Sequence, residues 1–318
     1  MSNKVSLIDC FLYNGERELL EIRLRLLSPI VDKFIIVRSS QTFSGKANGN
    51  PSPVDNPEVI RRQSFVQVID VPVLKGRTPW EREAFLRNSL ALGIRQFGEK
   101  GLALISDIDE LPNPHVLAEL KDATPNCPLT FALKYYNFKF NYELCAGRHA
   151  TWAGPILLPT TQATDLDKIR SERWQNLAAG RNVVKNAGWH FSYLTANGDL
   201  RSKLKSFSHQ EAEVQSRIES ANELIGRREG FHDHMYAGSV WAVVPVDYRG
   251  CPELRTEVMA YPEFLVSTAP DEEDEVLFRI RTSGFQIANT ERHKQLRNYS
   301  GKELAHELYS RVWKRLRR

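Results

Sequence analysis

The sequence predicts an α/β fold built on a largely parallel sheet, and three observations support it. Early in the chain, short apolar segments alternate with segments whose apolar residues recur at helical spacing. The chain has 318 residues, 42% of them hydrophobic, which is enough to bury a substantial core. Neither an internal repeat nor a low-complexity tract interrupts it. Strands that alternate with helices form βαβ units, whose sheets bind ligands at the carboxyl ends of their strands.

Apolar spacing and proline set the predicted boundaries in the first half. The leucines and isoleucine of residues 16–27 share one helix face, and Ser28-Pro29 ends this helix because the residue before proline avoids the helical region. Pro79 and Pro114 suit the first turn of a helix, and Asn113 is a suitable cap for the second of these helices. The predicted strands cover residues 5–12, 33–37, 65–73 and 101–105, and the predicted helices cover residues 16–27, 79–97 and 113–120.

The second half is more aromatic. Residues 129–143 alternate between apolar and polar types, which predicts a long strand or a hairpin. Further strands are predicted at residues 151–158 and 188–194, a mostly helical segment at 200–224, a basic amphipathic helix at 302–318, and loops at 48–57 and 160–181.

Charge and cysteine usage limit the partners and the compartment. Lys and Arg number 43 against 39 Asp and Glu, and this net charge of +4 does not indicate a nucleic-acid partner. The 4 cysteines form no C-x-x-C pair, so a reducing compartment is expected. No signal-peptide pattern and no long apolar run is visible, so we expect a cytoplasmic protein. The basic helix at 302–318 fits docking on the domain or peripheral contact with anionic lipid at the inner face of a membrane.

Three acidic residues directly follow the predicted strand at 101–105. Placing Asp107, Asp109 and Glu110 so close together is electrostatically unfavourable without a nearby cation. Like charges about 4 Å apart repel by roughly 1 kcal/mol even in water. Carboxylate oxygens suit Mg²⁺ or Mn²⁺, and such an ion often shares its remaining positions with phosphates. The alternative is that the two aspartates cap the following loop and helix. The context of a buried strand before them and Leu-Pro-Asn-Pro after them favours a metal site.

This arrangement resembles nucleotide-sugar glycosyltransferases of the GT-A fold, in which a D-x-D motif binds the metal and diphosphate of the donor. More narrowly, the chain resembles glycosyltransferase family 17, the family of the bisecting β-1,4-N-acetylglucosaminyltransferase of N-glycans. Arg38 stands where that family usually has an acidic residue, and the spacing at Asn14-Gly15-Glu16 carries an inserted glycine. The resemblance rests on residues 8–24 (IDCFLYNGERELLEIRL), 42–46 (TFSGK), 79–90 (PWEREAFLRNSL), 104–114 (LISDIDELPNP) and 187–194 (AGWHFSYL).

The resemblance implies roles for individual residues. Asp107 and Asp109 are the expected metal-side carboxylates, and His209 or His190 would complete the metal site. An inverting reaction needs a base, for which Asp199 is the first candidate and Glu211 the reserve. The expected donor-binding residues are Phe11 and Asn14 in the nucleotide-base loop, and Lys46, Arg87, Asp107 and Lys205 near the phosphates.

Each of these residues also has a plainer interpretation. Arg87 could lie on a solvated helix face, Phe11 and His190 could be core residues, and Lys46 could belong to a simple turn. Asp199 also suits a helix N-cap.

The resemblance implies a GT-A-like domain, with a Rossmann-like mixed sheet flanked by helices, over residues 1–225. A C-terminal extension over 226–318 would carry acceptor-side loops and the basic helix. The implied function is a metal-dependent inverting glycosyltransferase that uses UDP-N-acetylglucosamine, Mn²⁺ or Mg²⁺, and a glycan or glycolipid acceptor, as in a bacterial enzyme of polysaccharide biosynthesis. The alternatives are a nucleotidyltransferase-type enzyme and a catalytically silent sugar-binding module. No glycine-rich P-loop motif supports the first alternative.

Overall fold

A computed structural model describes residues 5–98, 101–200, 220–233, 238–248, 250–272, 274, 275 and 277. The chain forms two compact units. Among the described residues, the first unit contains those up to 133 and residues 153–190, and the second contains residues 134–152, 191–200 and those from 220 onward. The two units are described separately.

The first unit is built on a parallel sheet. Its strands β1 (Ser6–Leu12), β2 (Lys33–Ser39), β3 (Val66–Val71) and β4 (Gly101–Asp107) lie in the order β4-β1-β2-β3. All three of these pairings are parallel. A later strand, β8 (Thr151–Pro159), runs antiparallel along the other edge of β4. The predicted α/β class with a mixed sheet is therefore confirmed, as are the four early strands to within a few residues.

Helices connect these strands. They are α1 (Arg17–Leu27), α2 (Pro57–Arg61), α3 (Pro79–Asn88), α4 (Leu90–Phe97) and α5 (Pro114–Ala123). Asn113 caps α5 as predicted, since its side chain accepts a hydrogen bond from the N–H of His115. The helix predicted as continuous over 79–97 divides at Ser89, whose hydroxyl donates back to the carbonyl of Phe85 at 3.0 Å.

The loop predicted at 160–181 is wrong, because most of this segment is helical. It contains α6 (Leu166–Ser171), which Asp165 caps, and α7 (Arg173–Ala179), which ends at the left-handed Gly180. The spacing of apolar residues does not predict α6, because this helix buries an arginine, Arg170, together with Leu166.

The apolar core of the first unit lies between one face of this sheet and helices α3, α4 and α6. Alternate strand residues point to this face, because the side-chain period of a strand is two. The core consists chiefly of Ile8, Cys10, Leu12, Ile35, Val37, Leu86, Leu90, Ile94, Ala103, Ile105, Ile156, Leu158 and Leu166. Asp9 lies between Ile8 and Cys10 in β1, so it points to the opposite face.

Short strands extend the first unit beyond β4. A three-residue strand, β5 (Glu110–Pro112), pairs antiparallel with β10 (Gly188–Ser192), and this pairing places His190 opposite Glu110. The start of β6 (Leu129–Asn137) pairs parallel with β9 (Val183–Val184). The strands predicted at 151–158 and 188–194 are thus confirmed.

The second unit contains the end of β6, then β7 (Tyr142–Ala146) and β11 (Val240–Val243), with helices α8 (Ala221–Gly226) and α9 (Pro252–Met259). Tyr136 of β6 pairs with Glu143 of β7, which confirms the predicted hairpin. The segments 201–219 and 278–318, which include most of one predicted helix and all of the basic C-terminal helix, lie outside the described residues. None of the described helices combines the length and the apolar character that crossing a membrane requires.

Candidate active site

The three acidic residues of the D-x-D-E segment lie at the carboxyl end of β4, as the sequence predicts. Asp107 is the last residue of β4 and pairs with Leu12, the last residue of the neighbouring β1. Glu110 opens β5, and its carboxylate accepts a hydrogen bond from the backbone N–H of Asp107 at 3.1 Å. The turn is therefore closed by one of its own acidic side chains.

A buried arginine from α1 holds the backbone of this turn. Arg23 is fully buried and forms two hydrogen bonds of 2.7 Å with the carboxylate of Asp9, which is also fully buried. Such a bidentate pair satisfies both charges and fixes the plane of the guanidinium.

Further N–H groups of the same guanidinium bind the D-x-D-E segment. Arg23 donates to the hydroxyl of Ser106 at 2.6 Å and to the carbonyl of Glu110 at 2.9 Å. Longer bonds of 3.3 and 3.4 Å reach the carbonyls of Asp107 and Ile108. These bonds fix the path of the backbone between the two strands.

A second buried arginine binds the side chains of the acidic segment. Arg170 of α6 donates to Asp107 Oδ2 at 2.6 Å and to the two carboxylate oxygens of Glu110 at 2.7 and 2.8 Å. Its side chain is only 1% exposed, and that of Glu110 is 0% exposed. The charge of Glu110 is tolerated in the interior because Arg170 pairs with it.

Arg87 of α3 is the third arginine of the site. It donates to Asp167 at 2.6 Å and to Asp107 Oδ1 at 3.3 Å, and it also pairs with Glu83 one helical turn before it. The expected diphosphate contact is therefore bound to three carboxylates in this structure.

These contacts shift the acid–base properties of the cluster. Burial alone would raise the pKa of the Asp107 carboxyl, but Arg170, Arg87 and Arg173 outweigh it and hold this pKa well below its usual range. Burial would lower the pKa of Arg87, yet Glu83 and Asp107 raise it above the ordinary value. Burial, followed by the charge of Arg170, lowers the pKa of Arg173 to about 10. Asp107 is consequently ionised at any pH near neutrality.

Asp109 faces a different partner. Its Oδ1 lies 3.5 Å from Nε2 of His190, and both side chains are largely buried. Two ligand atoms that bind one octahedral ion at about 2.1 Å lie about 3 Å apart, so this oxygen and nitrogen fit a shared divalent cation. Among the described residues of this unit, no third His, Cys, Asp or Glu ligand atom joins the pair within 4.8 Å. An ion held by this pair would have further positions for phosphate oxygens and water.

The expected base-loop residues lie near the carboxyl ends of β1 and β2. Phe11 is fully buried, and the guanidinium of Arg23 lies 4.6 Å from its ring centroid, which favours a core role over base stacking. Asn14 Oδ1 accepts hydrogen bonds from the amide groups of Asn48 at 3.0 Å and Asn50 at 3.2 Å. Lys46 is exposed at the end of a turn that its own N–H closes on the hydroxyl of Thr42.

One of the remaining predicted site residues, Asp199, is described by the structure. Asp199 belongs to the second unit and is exposed, and its backbone N–H donates to the side chain of Asn197. The residues Lys205, His209 and Glu211 lie outside the described residues.

Sequence reasoning missed Asp9, Arg23 and Arg170. Asp9 interrupts an apolar strand, and Arg23 lies on the apolar face of α1 with Leu19 and Leu27. A charged residue on an apolar face indicates a buried partner, so these two positions carried a usable signal. Arg170 carried none, because its neighbours in the sequence are mostly polar.

Comparisons with known proteins show the family of the chain. The sequence model of glycosyltransferase family 17 matches residues 1–227. A search of curated proteins finds no match.

Several solved structures are similar to part of this chain at low identity. A 2-C-methyl-D-erythritol 4-phosphate cytidylyltransferase from Francisella tularensis is 10% identical with a TM-score of 0.29, over 59% of this chain and 90% of that one. An inositol-1-phosphate CTP transferase from T. maritima is 11% identical with a TM-score of 0.31, over 60% and 90%. A mycobacterial protein is 10% identical with a TM-score of 0.35, over 65% and 76%.

Proposed function

Because the chain belongs to glycosyltransferase family 17, we propose that it transfers a sugar from a nucleoside diphosphate donor to a hydroxyl of a glycan or glycolipid. The donor that we propose is UDP-N-acetylglucosamine, and the product is a β-linkage formed with inversion. Bacterial polysaccharide biosynthesis in the cytoplasm is the proposed setting.

The observation that supports this proposal is the pair formed by Asp109 and His190 at the carboxyl end of β4. These two side chains would hold Mn²⁺ or Mg²⁺. A bound divalent cation acts as a Lewis acid and stabilises the charge of the leaving diphosphate. Asp107, two residues before Asp109 and ion-paired with Arg170 and Arg87, is the further carboxylate that we assign to the metal and the donor.

Donor-side and base roles complete the proposal. Asn14 and Lys46 follow β1 and β2, where the ligand of a parallel sheet is expected, and we assign them to the nucleotide and its phosphates with Lys205. A carboxylate must act as the general base that takes the proton from the hydroxyl of the sugar acceptor. Asp199 is our first assignment for this base and Glu211 the second, while His209 is a further proposed metal ligand.

A peripheral membrane contact is part of the same proposal. The basic residues Lys314, Arg315, Arg317 and Arg318 close the chain, and each basic residue near an anionic surface contributes about 1 kcal/mol. Binding to vesicles that contain anionic lipid, lost at high salt, is the measurement that checks this contact.

The first test of the function compares Asp109→Asn with the unchanged chain. We expect the unchanged chain to bind UDP in the presence of Mn²⁺ and to release UDP slowly from UDP-N-acetylglucosamine. In Asp109→Asn the carboxylate that would hold the ion is lost, so Mn²⁺-dependent UDP binding should weaken by at least the roughly 10–100-fold seen for changes around metal ligands. Calorimetry and a UDP-release assay measure these two quantities.

The matched control is Asp122→Asn, the same substitution at an exposed aspartate of α5. It should leave both quantities unchanged. Absence of Mn²⁺-dependent UDP binding in the unchanged chain would refute the proposed function, and equal effects of the two substitutions would remove Asp109 from the site.

A further inference from the structure

The structure assigns to Arg170 the role of a positioning residue, which orients the carboxylate of Asp107 towards the donor. This inference rests on the proposed function and concerns a residue in the segment that the sequence predicts to be a loop. Arg170 lies in α6, whose start is fixed by the cap of Asp165 on the N–H of Lys168 at 3.1 Å.

Three hydrogen bonds connect Arg170, Asp107 and Glu110 in a closed ring. Arg170 Nη2 donates to Asp107 Oδ2 and to Glu110, and Glu110 Oε2 accepts the backbone N–H of Asp107. The ring therefore constrains both the side chain and the backbone of Asp107. Without the guanidinium, the carboxylate of Asp107 would keep only the 3.3 Å bond from Arg87 among these arginine contacts, so its side-chain torsions would be less constrained.

The Asp107 carboxylate has a buried side, which faces Arg170, and a side exposed to solvent. The side chain of Arg170 is 1% exposed, whereas that of Asp107 is 36% exposed. Arg170 thus binds Asp107 from the interior and leaves an open side towards solvent. A buried guanidinium cannot itself touch the donor, so its effect on binding passes through Asp107.

Arg170 reaches both carboxylates through one end of its guanidinium. One nitrogen of Arg170 serves Asp107 and both oxygens of Glu110, while Nη1 lies 3.4 Å from the carbonyl of Gly154. A lysine keeps the charge, but its ammonium is carried on a flexible stem and has no second nitrogen to hold it in place as Nη1 does at the carbonyl of Gly154. The substitution Arg170→Lys therefore removes the orientation and retains the charge.

The experiment measures Mn²⁺ binding in the presence of UDP, followed by the electron paramagnetic resonance signal of free Mn²⁺. Outer-sphere changes of this kind typically cost about 10–100-fold in metal affinity, and we expect a loss in this range for Arg170→Lys. The matched control is Arg181→Lys, the same change at an exposed arginine of the same unit, which should have no effect.

A double substitution distinguishes positioning from a general structural role. If Arg170 acts through Asp107, then Arg170→Lys should add less than about a twofold loss in a chain that already carries Asp107→Asn, because coupled residues are not additive. Equal losses in both backgrounds overturn the inference, as does normal Mn²⁺–UDP binding in Arg170→Lys or in Asp107→Asn.

Stability is measured in parallel with a second variant, Arg170→Gln, which can still donate a hydrogen bond. If neither Arg170→Lys nor Arg170→Gln folds at the assay temperature, the role is structural and the inference is wrong. Lack of Mn²⁺–UDP binding in the unchanged chain instead contradicts the proposed function itself.

Discussion

Arg23 and Asp9 are both fully buried, and two hydrogen bonds of 2.7 Å join them. Removing one partner of such a pair typically costs about 3–5 kcal/mol, because the other charge is left without compensation in the interior. Here the remaining donors of Arg23 bind Ser106 and backbone carbonyls of the D-x-D-E segment. Arg23 and Asp9 therefore compensate each other's buried charge, and Arg23 also fixes the backbone of the candidate active site.

A single histidine gives a pH dependence that can be measured. Burial, followed by the charge of Arg148, lowers the pKa of His149 from 6.5 to about 4. Between these two pH values the unfolded chain binds a proton that the folded chain does not. The stabilisation is complete above pH 6.5 and is lost as the pH falls towards 4, so we expect the free energy of unfolding to decrease over this window. In His149→Gln the decrease should be smaller.

Urea unfolding at pH 7 and pH 5 checks this expectation. The control is His115→Gln, the same substitution at an exposed histidine of the first unit. If His149→Gln loses as much stability between the two pH values as the unchanged chain, His149 is not the cause of the pH dependence.

At the scale of single residues, the sequence predicts those positions whose chemistry is visible in their neighbours. Asp107 and Asp109 were found because acids directly after an apolar strand are unusual. Arg170 was not found, since its importance depends on a contact between residues 107 and 170 that no local pattern encodes. The family resemblance implies a nucleotide-base contact for Phe11, but the guanidinium of Arg23 lies against its ring.

Among the elements, the pairing of β5 with β10 positions the candidate metal ligands. Gly188 opens β10 with a φ of 147°, and a Cβ at this position would lie 2.1 Å from the carbonyl oxygen of Leu111. The substitution Gly188→Ala should therefore lower the free energy of unfolding by at least the roughly 1–3 kcal/mol of a strained backbone. Since His190 follows two residues later, Mn²⁺–UDP binding should also weaken.

Gly49→Ala is the control for this prediction, because a Cβ at Gly49 would meet no atom within 4 Å. Chemical denaturation and Mn²⁺ binding are measured on both variants. Similar effects of the two substitutions on either quantity would show that the close approach of Gly188 to β5 is unimportant.

The elements that the sequence predicts well are those with a clean apolar period. The strands β1, β2 and β4 and the helix α1 are of this kind, because each buries one continuous apolar face or run. Helices α6 and α7 were missed because they are short and mostly polar: α6 buries only Leu166 and Arg170, and α7 buries no residue. The break between α3 and α4 falls at Ser89, whose hydroxyl donates to the carbonyl of Phe85. Serine also occurs inside helices, so the sequence does not predict this break.

In the molecule as a whole, segments distant in sequence build the second unit. The N–H of Phe140 donates to the carbonyl of Phe264 at 2.9 Å, and the hydroxyl of Tyr248 donates to the carbonyl of Phe140 at 2.7 Å. Strand β11 pairs with β7, where the rings of Trp241 and Tyr142 stack with centroids 5.2 Å apart. The domain boundary expected at residue 225 stays a prediction. Composition and motif order give no information on contacts between segments so far apart in the sequence.

These contacts predict the behaviour of a chain cut after residue 225. Although the family match ends at residue 227, the cut removes β11 from its partner β7 and leaves Tyr142 without the stacked ring of Trp241. The fragment 1–225 should therefore expose apolar surface in residues 134–152. We expect it to bind a hydrophobic dye, to aggregate, and to unfold with less cooperativity than the full chain in far-ultraviolet circular dichroism. A soluble fragment that unfolds as cooperatively as the full chain would instead show that residues 1–225 fold independently, as the motif order suggests.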